Sequence, residues 1–250
     1  MPSPLSNSAD RVILALDFPS TPAALAFTDR LEGRCRWVKV GLELYLAAGP
    51  SIIQVLRDRG LEVFLDLKLH DIPNTVAGAV TSLSRSGASL LTVHALGGPA
   101  MLAEAQKAAA SFPTGPALLA VTILTSMDSQ QLTAIGIPAG PPDAVRKLAT
   151  LAQAAGVPGM VCSPQEVALI RSILGPGPML VVPGIRPTGS DLGDQRRTAT
   201  PAAAIADGAS MLVIGRPVTR SPDPLAAFES ILDEVEAATG PVPHESPTYR

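Results

Sequence analysis

A few ionisable residues stand inside or directly after short apolar runs, where a charge is costly unless it is paired or functional. Asp17 follows the first such run, and Lys39 interrupts the second. Asp66 and Lys68 end the third, and Asp71 follows three residues later. An ammonium group can give up a proton, which an always-charged guanidinium cannot do. The pattern therefore indicates side chains that pair with one another or carry out chemistry.

Asp66 and Lys68 are two residues apart, and side chains alternate along a strand, so both are expected to point to the same side. Inside a protein the two charges must then compensate each other. The chain has only four lysines against fifteen arginines, yet Lys39 and Lys68 both fall in strand-length runs. We infer that these two positions use the particular properties of an ammonium group.

Glycine and arginine recur together after the last two apolar runs, as Gly184 with Arg186 and as Gly215 with Arg216. Glycine lets backbone amides approach an anion, and arginine offers a bidentate fork to phosphate oxygens. Gln195 lies in the long loop between these segments and is a candidate to close over a bound ligand. These features predict a phosphate-binding site.

Each of these residues also has a simpler interpretation. Asp66 and Lys68 could form an ordinary ion pair at a strand end, and Lys39 could face outward from a half-exposed strand. Asp17 could cap the following helix, each arginine could be a solvated turn residue, and Gln195 could be solvated. We interpret the three histidines as structural or solvated. The sequence holds no His-Glu-x-x-His or Walker motif, so no metal or nucleotide cofactor is expected.

The elements that must position these residues alternate along the whole chain, with strand-length apolar runs separated by segments of helical period. Strands are predicted at residues 12–16, 37–40, 62–67, 90–94, 117–122, 160–162, 179–182 and 211–214. Helices are predicted at residues 22–31, 52–59, 75–86, 100–111, 143–155, 164–173, 201–206 and 224–238. Eight such repeats in 250 residues predict an α/β fold of the (β/α)8 TIM barrel type, in which catalytic residues lie at the C-terminal ends of the strands.

We expect a single domain, with the barrel at residues 11–239, an extension at 1–10 and a loose tail at 240–250. An open doubly wound sheet is the competing architecture. It would normally carry a glycine-rich dinucleotide fingerprint or a P-loop, and the sequence has neither motif.

Composition excludes several classes of protein. A chain with 46% hydrophobic residues is not intrinsically disordered. A net charge of -3 and 3% aromatic residues argue against nucleic-acid binding. The sequence has no apolar stretch of membrane-spanning length, so no membrane partner is expected. Cys35 and Cys162 suggest neither a disulfide framework nor a metal site, which favours a reducing cytoplasm.

The residues that carry this chemistry form one long string. Residues 66–75 read Asp-x-Lys-x-x-Asp-Ile-Pro-Asn-Thr, which resembles the signature of the orotidine 5'-phosphate decarboxylase family. The similarity continues in order through segments 15–17, 38–41, 121–126, 183–187, 193–195 and 213–219. It covers residues 12–236 and is least informative for the proline-rich segment 136–142 and for the tail.

The resemblance implies conversion of orotidine 5'-monophosphate (OMP) to UMP and carbon dioxide, the last step of de novo UMP synthesis, without metal or organic cofactor. It also implies a homodimer with shared active sites. Lys39, Asp66 and Lys68 would come from one subunit, and Asp71 and Thr75 from the other. By the same resemblance, Asp17 and Lys39 would hold the ribose hydroxyl region, and Thr125 and Gln195 would lie near the pyrimidine and the phosphate. Arg216 and the backbone amide of Gly215 would bind the phosphate, with Arg186 close by in the same pocket.

This reaction explains why such residue types are needed. Removing carbon dioxide from C6 of the ring leaves a carbanion without the usual electron sink, so the site must supply positive charge and then a proton. Lys68 can supply both, and the carboxylates of Asp66 and Asp71 beside it would favour its ammonium form.

Two rival functions stay open at this point. One is a magnesium-dependent sugar-phosphate decarboxylase or aldolase-like synthase of the same superfamily, which should carry an acidic ligand where this chain has Lys39. The other is a catalytically silent barrel that binds nucleotides as a sensor, in which the charge cluster should be broken.

Overall fold

The computed structural model describes residues 7–138, 140–187 and 197–239. Within them, eight parallel strands close into a barrel in sequence order, and the first strand is hydrogen-bonded to the last. The strands are β1 (Val12–Ala15), β2 (Trp37–Gly41), β3 (Glu62–Leu69), β4 (Leu90–His94), β5 (Ala117–Val121), β6 (Gly159–Val161), β7 (Met179–Val182) and β8 (Met211–Ile214). The predicted (β/α)8 barrel is confirmed. Gln195 and the predicted tail, residues 240–250, lie outside the described residues.

Helices surround the barrel between and after the strands. They are α1 (Thr21–Asp29), α2 (Leu42–Ala48), α3 (Ser51–Asp58), α4 (Pro73–Leu83), α5 (Gly98–Ala110), α6 (Ser129–Ala134), α7 (Pro141–Ala154), α8 (Val167–Leu174), α9 (Pro201–Ala206), α10 (Arg216–Thr219) and α11 (Pro224–Thr239). Proline occupies the first turn of several of them, including α1, α4, α5 and α7, because its missing N–H is not needed there.

Every predicted strand is present, with ends that differ by at most two residues, but the predicted helices did not include α2, α6 and α10. Helices α6 and α10 are only six and four residues long, too short to show a helical period. Helix α2 follows β2 without a connecting loop, and it exposes Leu42 and Leu46 instead of burying an apolar stripe.

The hydrophobic core has two layers because strand residues point alternately into the barrel and outward to the helices. Ile13, Trp37, Phe64 and Leu119 belong to the inner cluster. Leu14 and many other strand residues pack in the outer layer against the helices. The strands are therefore buried on both faces, as their continuous apolar sequences predicted.

Two further properties of the fold concern its surroundings. The described part of the chain contains no helix whose length and hydropathy would allow it to cross a lipid bilayer. Cys35 and Cys162 are both free and buried.

Candidate active site

A cavity of about 250 Å³ opens at the C-terminal ends of the strands. Charged side chains from the first three strands line one side of it. Arginines that follow β7 and β8 line another side, and apolar residues of β5 and β6 complete the wall. The predicted site residues that line this cavity are Asp17, Lys39, Asp66, Lys68, Thr125, Arg186, Gly215 and Arg216.

Four of these side chains form a row in which acids and ammonium groups alternate. Lys39 Nζ lies 3.1 Å from Asp17 Oδ1 and 3.7 Å from Asp66 Oδ2. Lys68 Nζ lies 2.8 Å from the same Asp66 oxygen. Because the strands are parallel and neighbouring, the C-terminal ends of β1, β2 and β3 bring these residues together. The row can attract an anion through its lysines and hold each ammonium in place through its carboxylates.

The backbone at Lys68 is unusual and corrects part of the sequence reasoning. Lys68 has a φ of 52°, in the left-handed region, and the pairing of β3 with β4 shifts register between Leu65 and Leu69. Strict alternation along a regular strand, from which the proximity of Asp66 and Lys68 was predicted, therefore does not hold here. The ammonium reaches Asp66 because the irregular backbone directs it there. Non-glycine residues with positive φ are costly and cluster at functional sites.

The structure decides against two of the simpler interpretations. The side chain of Lys39 is only 13% exposed and faces the cavity, so it does not point outward from the barrel. Asp17 does not cap the following helix, because the side chain of Ser20 accepts the hydrogen bond from the backbone N–H of Ala23 at the start of α1. Asp17 instead binds Lys39.

The arginine side of the cavity is built from the ends of β7 and β8. Gly184 has a φ of 82°, which glycine adopts without strain, in the turn that leads to Arg186. Arg186 is buried, and its Nη1 donates to the carbonyl oxygen of Ile185 at 2.8 Å. Gly215 packs against β1, and a Cβ at this position would lie 3.4 Å from Ala15 Cβ. Such a surface can accept a phosphate group on arginine forks and backbone amides.

Two predicted site residues lie away from the cavity of their own chain. Asp71 and Thr75 are exposed and do not line it. Asp71 Oδ1 accepts a hydrogen bond from the backbone N–H of Ile72 at 2.6 Å. Asp71 sits in the connection from β3 to α4 and Thr75 in the first turn of α4, at the same end of the barrel as the cavity.

Apolar side chains also line the cavity. Val121, Ile123 and Val161 line it, together with Cys162. Burial raises the pKa of the Cys162 thiol to about 12, so the sulfur stays protonated and offers apolar surface instead of a nucleophile. A flat, largely apolar ring fits such a wall.

Two histidines lie beside the charged row. The rings of His70 and His94 stack with centroids 5.3 Å apart. Burial, together with the smaller effects of the nearby His70 and Lys68, lowers the pKa of His94 to about 4, so His94 is neutral at pH 7. Within residues 7–138, 140–187 and 197–239, no three His, Cys, Asp or Glu side chains come together in a way that could hold a metal ion.

The whole barrel, including the ends of the strands that bear the charged row, matches one known family. The profile described as "Orotidine 5'-phosphate decarboxylase / HUMPS family" matches residues 10–231. The chain belongs to this family. The predicted resemblance to the orotidine 5'-phosphate decarboxylase family is confirmed.

Relatives in the orotidine 5'-phosphate decarboxylase family are similar over almost their whole length. The chain is 52% identical to the orotidine 5'-phosphate decarboxylase of Anaeromyxobacter sp. (strain K), covering 89% of this chain and 97% of that protein. It is 48% identical to the protein of the same name from Moorella thermoacetica, covering 92% and 94%. The crystal structure of orotidine 5'-phosphate decarboxylase from Lactobacillus acidophilus superposes with a TM-score of 0.79 at 38% identity, covering 90% of this chain and 98% of that one.

Sequence reasoning missed two buried polar residues next to the decarboxylase-family cavity. Thr92 Oγ1 on β4 donates to Asp66 Oδ1 at 3.0 Å and accepts the backbone N–H of Lys68 at 2.8 Å. Arg197 pairs with Glu166 and binds the carbonyl of Leu124. A hydroxyl between two apolar strand residues was the available signal for Thr92. Arg197 gave no signal, because its sequence neighbourhood resembles that of a solvated loop arginine.

Proposed function

We propose that this chain decarboxylates OMP to UMP and carbon dioxide, the last step of de novo UMP synthesis. The observation that carries the proposal is the row Asp17, Lys39, Asp66 and Lys68 at the mouth of the barrel, facing a cavity that ends in Arg216. Membership of the orotidine 5'-phosphate decarboxylase family supports the same reaction.

The substrate would be anchored through groups that do not react. Arg216 and the backbone amide of Gly215 would bind the phosphate, with Arg186 close by. Asp17 and Lys39 would hold the ribose hydroxyl groups. Binding energy from these remote contacts can orient the ring in the transition state, where it raises the rate.

Two further residues would complete the substrate contacts around the ring and the phosphate. Thr125 lies in the wall of the cavity and would meet the pyrimidine. Gln195 would act near the pyrimidine and phosphate, a role that rests on its place in the family motif because it lies outside the described residues.

The chemical step needs positive charge beside C6 and then a proton. The bond from C6 to the carboxylate carbon breaks, carbon dioxide leaves, and the electron pair stays on C6. Lys68 Nζ would stabilise this carbanion and transfer one proton to it, after which solvent reprotonates the lysine. Asp66, 2.8 Å from Lys68 Nζ, would hold the ammonium at the reacting carbon, and Lys39 would balance the charge of Asp66 from its other side.

The finer part of the proposal is a homodimer with shared active sites, in which Asp71 and Thr75 act in the partner's cavity. Their exposure, away from the cavity of their own chain, supports this arrangement. Apolar residues at the same end of the barrel support it as well, because Leu46 is 77% exposed and Ile72 is 67% exposed. A second copy of the chain would cover these residues. We also place the reaction in the cytoplasm, because the two cysteines are free instead of forming a disulfide.

The magnesium-dependent alternative is disfavoured by a charge already present in the site. Lys39 Nζ lies 3.7 Å from Asp66 Oδ2, so a divalent cation on Asp66 would be repelled by this ammonium. The silent-sensor alternative is disfavoured because the row of four charged residues is intact.

The proposed function is tested with purified protein that has been stripped of metal with excess EDTA. We expect it to consume OMP, followed by the change in absorbance, at the same rate with and without EDTA. The matched variant Lys68→Ala should lose turnover yet still bind UMP in calorimetry, because the phosphate and ribose contacts are intact. Normal turnover by Lys68→Ala would remove the assigned acid. A wild-type enzyme that is inactive on OMP, or active only with magnesium, would overturn the proposed function.

A further inference from the structure

A buried ion pair lies behind the wall of the cavity, outside the charged row. The side chains of Arg197 and Glu166 are only 9% and 3% exposed. Taking two charges out of water is expensive, and apolar residues of similar volume often stabilise a fold at least as well as such a pair. A contribution to stability is therefore a weak explanation for this ion pair, and its hydrogen bonds indicate a different role.

The pair connects three separate segments at the mouth of the barrel. Arg197 Nη1 donates to Glu166 Oε1, and Arg197 Nη2 donates to the carbonyl oxygen of Leu124 at 2.7 Å. Glu166 Oε2 accepts the backbone N–H of Ser163 at 2.8 Å and its hydroxyl at 2.5 Å. Arg197 thus ties the connection after β5 to the connection after β6. Among the described residues, its Nε has no hydrogen-bond partner.

The contact with Leu124 matters because this residue and the next one, Thr125, line the cavity. The connection after β5 lies beyond the ladder of the sheet, since β5 ends at Val121. Fixing the carbonyl of Leu124 in turn fixes the peptide plane that leads into Thr125.

We propose that Arg197 is a positioning residue that, through the carbonyl of Leu124 and the carboxylate of Glu166, holds the Leu124–Thr125 wall where the pyrimidine ring of the substrate rests. The inference rests on the proposed function, and it deepens it by assigning recognition of the base to a side chain that does not line the cavity. Arg197 thus affects binding of the pyrimidine ring and does not affect binding of the phosphate.

The phosphate side of the cavity is held by main-chain contacts and not by the guanidinium of Arg197. Ile185 and Ala199 form a backbone bridge, and the backbone N–H of Arg186 donates to the carbonyl of Ala199 at 2.9 Å. These contacts use main-chain atoms, so removing the Arg197 side chain should leave them in place. The two ends of the ligand can therefore be tested separately.

The chain offers a matched control in Arg171. Its guanidinium also binds backbone carbonyls, with Nε donating to Gly208 at 2.8 Å and Nη1 to Pro178 at 2.9 Å. These carbonyls precede β8 and β7, at the end of the barrel away from the cavity. Arg171→Met should therefore lower stability as Arg197→Met does, without moving the wall of the cavity.

The experiment compares Arg197→Met with Arg171→Met at a temperature where circular dichroism shows both to be folded. For Arg197→Met we expect kcat/KM for OMP to fall on the order of a hundredfold, as for a small misplacement of the reacting group. The dissociation constant of UMP should rise about tenfold, corresponding to one lost charged hydrogen bond. The dissociation constant of ribose 5-phosphate should change by less than about twofold, because without the base this ligand does not rest on the Leu124–Thr125 wall.

Arg197→Met leaves Glu166 buried without its counter-charge, so the double variant Glu166→Gln with Arg197→Met is measured alongside. This double variant removes both charges and is expected to show the same contrast between UMP and ribose 5-phosphate. Equal weakening of the two ligands, or an equal loss of kcat/KM in Arg171→Met, would overturn the positioning role. Turnover of OMP by the unaltered chain tests the proposed function separately, so the two failures are distinguishable.

Discussion

Thr92 should control the geometry of the charged row although it does not line the cavity. Its side chain is fully buried, donates to Asp66 Oδ1 at 3.0 Å and accepts the backbone N–H of Lys68 at 2.8 Å. Thr92→Val replaces the hydroxyl with a methyl group of the same shape. The variant removes both hydrogen bonds at once and leaves the partly buried backbone N–H of Lys68 without its acceptor.

The two lost hydrogen bonds set the loss of stability in Thr92→Val. An unsatisfied buried N–H costs about 1–3 kcal/mol, and a lost hydrogen bond to a carboxylate costs about as much, so the free energy of unfolding should fall by roughly 3 kcal/mol. For a chain of this size, that lowers Tm by roughly 6–12 °C. Asp66 and Lys68 also become free to rotate away from the reacting carbon. We therefore expect kcat for OMP to fall between about ten- and a hundredfold, with a smaller change in the affinity for UMP.

Thr122 provides the matched control. It is equally buried, and its hydroxyl donates to the carbonyl of Val161 at 3.0 Å, but it does not line the cavity and touches none of the charged row. That carbonyl also accepts the backbone N–H of Thr122, so it keeps a partner in Thr122→Val. This variant should lose about 1 kcal/mol of stability and keep its kcat.

The assay is steady-state turnover of OMP, combined with thermal unfolding followed by circular dichroism. Thr92→Ser, which keeps the hydroxyl, should restore most of the lost kcat. The reasoning is refuted if Thr92→Val retains the wild-type kcat although its Tm falls, or if Thr122→Val loses kcat by the same factor.

Two other predictions test the shared site and the buried histidine. Mixing inactive Lys68→Ala with inactive Asp71→Ala chains should restore about a quarter of the wild-type activity, because half of the randomly exchanged dimers are hybrids with one intact site. No recovery after subunit exchange, shown by mass spectrometry, would count against the shared site. Burial lowers the pKa of His94 to about 4 from the ordinary 6.5, so the unfolded chain takes up a proton that the folded chain does not. The free energy of unfolding should therefore decrease as the pH falls from about 6.5 to 4, and His94→Gln should flatten this slope in Tm measurements. Parallel pH profiles for the two proteins would contradict this assignment.

Much of the fold could be predicted because barrel strands are buried on both faces and read as continuous apolar runs. All eight strands were found this way, whereas α2 was missed. Its exposed leucines, Leu42 and Leu46, break the rule that an apolar residue of a helix faces the core. If a second copy of the chain covers them, no pattern within one chain could have revealed their role.

The sequence predicted which residues form the charged row of the candidate site, but it did not predict how they are arranged. Asp17, Lys39, Asp66 and Lys68 stood out because charges are rare in buried strands. Strict alternation was the wrong reason for the meeting of Asp66 and Lys68, because Lys68 adopts a left-handed backbone that local propensity disfavours. Thr92 and Arg197 act through hydrogen bonds to residues that are distant in sequence, and no spacing rule identifies such partners.

By itself, the sequence determined the eight-fold alternation of strands and helices, the side-chain types available for acid and ammonium chemistry, and the family string at residues 66–75. Only the tertiary structure decided which of these groups meet. Closure of β1 against both β2 and β8 places Asp17 next to Lys39 and brings Gly215 against the same wall. That closure comes from hydrogen bonds between strands about 200 residues apart, and such contacts are set by the packing of the whole barrel and not by any local pattern.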